Sequence, residues 1–118
     1  MINNFAFKGI YLYKAPIDFR KSICSLQDFI LGEMEHSLEQ NVLFIFSNKN
    51  HNRIKVIYRD NSGVAMWYKV LDENKFKWPA FQSEKIIYMT EAELKNLLSI
   101  LDFKAAKKIN RNQLKIAA

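Results

Sequence analysis

Cysteine occurs once in these 118 residues, glycine three times, proline twice and histidine twice. Each scarcity closes off a class of protein. Cys24 alone cannot build an internal disulfide framework or a thiolate-rich zinc site. Gly9, Gly32 and Gly63 are too scattered to form a glycine-rich phosphate loop. His36 and His51 lack neighbours at metal-ligand spacing, so both read as solvated surface residues. No Gly-x-Ser-x-Gly elbow occurs. No apolar run approaches a membrane span, and no secretory pattern opens the chain. The expectation is a cytoplasmic protein with no membrane segment, no cofactor, no metal and no catalytic apparatus. Cys24, between Ile23 and Ser25, reads as an inert core thiol.

What is present is apolar material and positive charge. Hydrophobic residues make up 49% of the chain and aromatics 14%, enough for one core without disulfides. The net charge of +6 is unevenly spread. Residues 1–47 hold four Lys/Arg against five Asp/Glu, and residues 48–118 hold fourteen against seven. Such asymmetry suits a polyanionic partner, nucleic acid first and anionic membrane second.

Hydrophobic spacing predicts an α+β fold. Residues 10–13 read as a short strand broken by Ala15-Pro16. Asp18 stands where a helix N-cap belongs, and Phe19, Ile23, Leu26, Phe29, Ile30 and Met34 follow at helical intervals. Val42 to Phe46 is a run of five apolar residues, suited to a strand buried on both faces. Arg53 to Arg59 alternates between polar and apolar, and Asp60-Asn61-Ser62-Gly63 is a turn in which Gly63 can take positive φ. Val64 to Leu71 completes an antiparallel meander, and residues 85–89 supply a last strand. Thr90-Glu91-Ala92-Glu93 has the form of a capping box, followed by a stripe at Leu94, Leu97, Leu98 and Leu101. The predicted domain is 1–103: a meander of about three to five strands packed against an N-terminal and a C-terminal helix. Residues 104–118 form a basic C-terminal tail.

Several blocks, in order, resemble a known family. Ala15-Pro16-Ile17-Asp18-Phe19-Arg20-Lys21 looks like its Gly-Pro-x-Asp-x-Arg-Lys signature. Phe44-Ile45-Phe46 with Asn48, and Arg53-Ile54-Lys55, are similar to its Phe-x-Phe-x-Asn and Arg-x-Lys elements. Asp60-Asn61-Ser62-Gly63, Tyr68-Lys69, Leu71 and Phe76-Lys77-Trp78-Pro79 match the remainder across residues 10–79. The family is the TnpB-type accessory protein of insertion-sequence sixty-six transposons. Ala15 replaces a glycine, a Pro-x-x-Gly element is missing before the Phe-x-Phe strand, and Lys69-Val70-Leu71-Asp72 stands for Lys-Arg-Leu-Glu. The resemblance implies a non-catalytic auxiliary protein of DNA transposition, encoded beside the transposase that carries the catalytic acids.

The candidate site follows from strand alternation. Arg53, Lys55 and Arg59 share one face of their strand; Trp67 and Lys69 share one face of the next. If the turn brings these faces together, Trp67 sits among cations, suited to phosphate contact and base stacking, while Val56, Tyr58, Met66 and Tyr68 cover the helices. Because burying three cations is costly, the basic face is expected to be solvated. Arg20, Lys21 and Lys77 are further DNA-binding candidates, although Arg20 could instead pair with Asp18, and Trp78-Pro79 reads as a packing plug. Two other functions stand beside DNA binding: a module docking on the transposase without touching DNA, and a metal-dependent nuclease built on Asp18, Asp60 and Asp72.

Overall fold

The computed structural model describes residues 7–79 and 83–98. Along the chain these form β1 (Gly9–Tyr13), α1 (Ile23–Gly32), β2 (Val42–Ser47), β3 (Arg53–Arg59), β4 (Val64–Val70) and β5 (Ile86–Tyr88). Residues 91–98 are helical and are called α2 here. The predicted tail 104–118, with Leu101 and Phe103, lies outside the described residues.

The fold is α+β, as the periodicity predicts, with one five-stranded sheet in the order β4-β3-β2-β1-β5. β2, β3 and β4 form the antiparallel meander. The sheet as a whole is mixed, because β1 pairs with β2 in parallel. The chain between them carries α1, and a crossover of that length lets two strands run the same way. β5 closes the other edge, antiparallel to β1.

β2 lies at the centre, and all six of its residues are buried. Its alternate side chains feed two cores. Phe44 and Phe46 join Ile57, Leu26, Ile30 and Met34 under α1. Leu43 and Ile45 join Ile10, Leu12, Ile54 and Val56 on the opposite face, closed by Phe76 and by Leu94 and Leu97 of α2. The capping box of α2 forms as read: Thr90 N donates to Glu93 Oε1 at 2.9 Å, and Glu93 N donates to Thr90 Oγ1 at 3.1 Å.

Three local expectations are corrected. The N-cap of α1 is Ser22, whose side chain accepts from Ser25 N, so the helix begins four residues later than the apolar spacing suggests. Asp18 and Phe19 belong to the preceding loop. Cys24 is exposed, because the buried stripe of α1 runs through Leu26 and Ile30. Gly63 does not take positive φ. The Asp60 carboxylate shapes that turn instead, with Oδ1 accepting from Ser62 N, Ser62 Oγ and Gly63 N.

Candidate nucleic-acid interface

The register of β3 and β4 decides where the predicted site residues point. Lys55 pairs with Tyr68, Val56 with Trp67, and Ile54 with Lys69. Residues directly opposite in an antiparallel pair share a face. Arg53, Lys55 and Arg59 therefore lie with Tyr68 and Met66 on the α1 side. Trp67 and Lys69 lie on the other side with Ile54 and Val56. The expected cluster of Trp67 among Arg53, Lys55 and Lys69 is not formed. Lys69 instead sits over the Trp67 ring, 5.9 Å from its centroid, and burial lowers its pKa.

Lys55 corrects the solvated-face expectation most sharply. It is 3% exposed. Its ammonium donates to Phe19 O at 2.7 Å and to Lys21 O at 3.0 Å. It also lies 4.8 Å from the Phe19 centroid and 5.3 Å from that of Tyr68, which meet edge to face. Burial lowers its pKa, with Asp18 opposing the shift. Lys55 thus fastens the 16–21 loop to the sheet: a cation surrounded by two carbonyls and two ring faces is paired without a carboxylate.

That loop presents charge outward. Arg20 forms a bidentate pair with Asp18, Nη2 to Oδ2 at 2.7 Å and Nε to Oδ1 at 3.0 Å, while Arg20 N also donates to Asp18 Oδ1. The guanidinium holds the Asp18 carboxyl well below the usual carboxylate range. The Arg20 side chain remains 91% exposed. Arg53 is exposed and donates through Nη1 to Tyr68 Oη at 3.0 Å.

The β2–β3 turn is organised by Asn48, whose Oδ1 accepts from Asn52 N and Arg53 N and whose Nδ2 donates to Asn52 Oδ1. His51 takes positive φ and stacks on Trp78 at 5.4 Å, with its Nδ1 3.0 Å from Ser47 Oγ. Burial, and secondarily Lys75, lowers its pKa. Neither histidine is a free surface residue, since His36 packs on Tyr11 at 4.4 Å. Trp78 Nε1 donates to Lys14 O at 2.8 Å, and Phe76 N donates to His51 O at 2.7 Å. Trp78 is therefore a packing plug, as read.

These contacts bring most of the motif blocks to one end of the sheet, where β1 and β2 finish, β3 begins and β4 finishes. Lys14, Arg20, Lys21, Lys49, Arg53, Lys69, Lys75 and Lys85 lie at this end, with the acids Asp18, Asp72, Glu73 and Glu84. The far end holds Glu33, Glu35, Glu39, Asp60, Glu91 and Glu93 against Lys8 and Arg59. The two ends of the sheet thus differ in their balance of charge, with Lys95 on α2 offsetting part of the acid at the far end. Arg59 belongs to the acidic end, where its Nε donates to Leu38 O. Lys77 lines an open hollow of about 390 Å³ with Pro79, Met89, Glu93, Asn96 and Leu97. Asp60 is at the opposite end from Asp18 and Asp72, so the three do not converge, and no group of three His, Cys, Asp or Glu among the described residues could hold a metal. No helix among the described residues is long and apolar enough to cross a membrane.

Known proteins are similar to this chain in sequence. A family model described as IS66 Orf2 like protein matches residues 8–108. The chain belongs to the IS66 Orf2-like family. Membership carries an accessory role in the transposition of insertion sequences, and the family is not a known catalytic one. Two uncharacterized proteins of Sinorhizobium fredii are similar to it. The y4hO protein is 34% identical over 62 residues, 52% of this chain and 53% of its own length. The y4jC protein is 27% identical over 93 residues, 79% of each chain. The chain thus spans about half the length of the first and about four fifths of the second. No solved structure matches. In this IS66 Orf2-like chain the basic residues absent from the sequence-derived site are Lys14, Lys49, Lys75 and Lys85. Their signal was topological: successive strand ends of a meander alternate between the two ends of the sheet, so the turns after β2 and β4 fall together.

Proposed function

We propose that the protein is a non-catalytic accessory factor that holds DNA during transposition, working in the cytoplasm, and that the phosphate contacts lie at the basic end of the sheet. The observation that carries this reading is the gathering of eight Lys/Arg from four segments of the chain at one end, against four acids. Flexible cations clustered around strand ends suit backbone contact, which is salt-dependent and tolerant of sequence. Arg53, Arg20, Lys21 and Lys69 remain contacts in this reading. Lys55 positions the loop that carries two of them. Arg59 lies at the far end, Trp67 lies beneath Lys69 on the sheet face opposite Arg53, and Lys77, between the anchored Phe76 and Trp78, lines the hollow beside Glu93.

Fluorescence anisotropy with a labelled duplex tests this. Lys49→Glu, Arg53→Glu and Lys75→Glu together replace exposed cations, so the fold should survive while binding weakens at least tenfold and its salt slope flattens. Unchanged affinity, or affinity indifferent to salt in the parent chain, refutes it. Docking on the cognate transposase without DNA contact is the second reading. It is favoured by Leu31, 65% exposed, and Tyr88, 61% exposed, apolar side chains outside the basic cluster. Capture of the transposase that persists after nuclease treatment, with no DNA binding, selects it.

A further inference from the structure

The two edges of the sheet are unlike each other. β5 is three residues long, a short edge of the kind natural sheets leave open. β4 is seven residues long, has no proline, and carries one charge, Lys69. Val70 on it is 47% exposed and Tyr68 39%.

The hydrogen bonds that frame the β3–β4 ladder show which backbone groups are used. Asp60 N donates to Gly63 O, and Leu71 N donates to Asn52 O. With a period of two along the register, Ala65, Trp67 and Lys69 turn their N–H and C=O toward β3. Val64, Met66, Tyr68 and Val70 turn theirs away, and no strand among the described residues pairs with that edge.

We propose that this edge pairs with the β4 edge of a second copy of the chain, antiparallel, about a twofold axis at Trp67. A second copy is favoured as occupant because the residues of this edge are self-complementary in that register. In it Val64 meets Val70 of the second copy and Met66 meets Tyr68, so every outward group of the four residues finds a partner. On the α1 side the facing pairs are apolar. On the other side Trp67 meets Trp67, and Lys69 faces Ala65 of the second copy. No like charges stand opposite each other, although each strand is basic, and that self-complementarity is what an isologous interface requires. The two sheets become one of ten strands, with the basic ends directed oppositely, so a dimer presents two separated basic surfaces. The inference does not rest on DNA binding and is read without DNA.

Sedimentation equilibrium of the full chain is the test. The parent is expected to dimerise. Val64→Lys with Val70→Lys places like charges opposite each other at both pairs and should weaken dimerisation at least tenfold. Val64→Glu with Val70→Lys places opposite charges there and should retain the dimer. A monomeric parent chain overturns the proposal, as does a dimer indifferent to the like-charge pair. Circular dichroism confirms that each variant is folded. If either is not, Trp67→Cys in a Cys24→Ser background provides a second measurement. Directly opposed cysteines at a closely spaced pair are within disulfide reach, so mild oxidation should link the chains, and a folded variant that fails to cross-link overturns the register.

Discussion

Replacing Lys55 by methionine separates a structural latch from a DNA contact. The change keeps a long, unbranched apolar stem and removes the ammonium. In the parent that group donates to Phe19 O and Lys21 O and lies against the rings of Phe19 and Tyr68. A hydrogen bond to a charged group contributes about 1.5–3 kcal/mol net, and two of them would contribute roughly 3–6 kcal/mol if additive. The lysine also costs something to desolvate, and methionine recovers that. Both carbonyls belong to half-buried residues, so water can reach them in part once the ammonium is gone. Taking these together, Lys55→Met should cost about 2 kcal/mol, which for a domain of this size lowers Tm by roughly 8–16 °C.

A thermal melt followed by circular dichroism measures this directly. A solvated surface lysine would give a change within about 0.5 kcal/mol, or a few degrees at most. Lys55→Met melting within about 2 °C of the parent would therefore refute the latch. DNA affinity supplies the second axis. If the lysine touched phosphate, binding would fall with little loss of stability. The latch gives the reverse: a large loss of stability, with affinity reduced only as far as Arg20 and Lys21 lose their fixed loop.

Protonation of His51 should be resisted by the fold, because burial and Lys75 hold its pKa below the ordinary 6.5. Its unfolded form then binds the proton more readily, so stability should fall as pH drops from about 6.5 toward the lowered folded value, and His51→Gln should flatten that limb of a Tm-against-pH curve. Asp18 behaves with the opposite charge logic: its lowered pKa gives a contribution present above the ordinary 3.8 and lost as pH falls further, small because the pair is exposed. Asp18→Asn should therefore lower Tm slightly near neutrality, and the difference from the parent should shrink as pH falls below 3.8. Trp78→Phe removes the donor to Lys14 O but keeps an aromatic ring for His51, so it should destabilise by about 1 kcal/mol in a denaturant titration.

The parts of the fold legible in sequence are those fixed by local chemistry. Thr90 and Glu93 stand three apart and can satisfy each other's amides whatever surrounds them. Val42 to Phe46 has no polar face and is rich in β-branched and aromatic residues, which suits the central strand it forms. What alternation left open was how β3 and β4 face each other. Asp60 pairs with Gly63 across the turn, which sets Lys55 opposite Tyr68 rather than Trp67. A slip of one residue moves every side chain of a strand to the other face. That slip separates the cluster expected around Trp67 from the arrangement found. One signal was available: Ile57 lies between Lys55 and Arg59 on the same face and is fully buried under α1, so that face could not be wholly solvated.

Spacing of the matched blocks therefore records scaffolding more than contact with a partner. Asp18 fixes the backbone around Arg20, Asn48 closes the β2–β3 turn, Lys55 fastens the 16–21 loop, Asp60 shapes the β3–β4 turn and Trp78 anchors on Lys14 O. Each is a polar side chain satisfying main-chain groups at a place where the strands end and cannot satisfy them. Such residues stand at set distances because the backbone they complete is set. Cations that meet phosphate from flexible stems need no such spacing, only a common end of the sheet. Lys49, Lys75 and Lys85 meet that condition without belonging to any block, and for that reason topology locates them where motif reading does not.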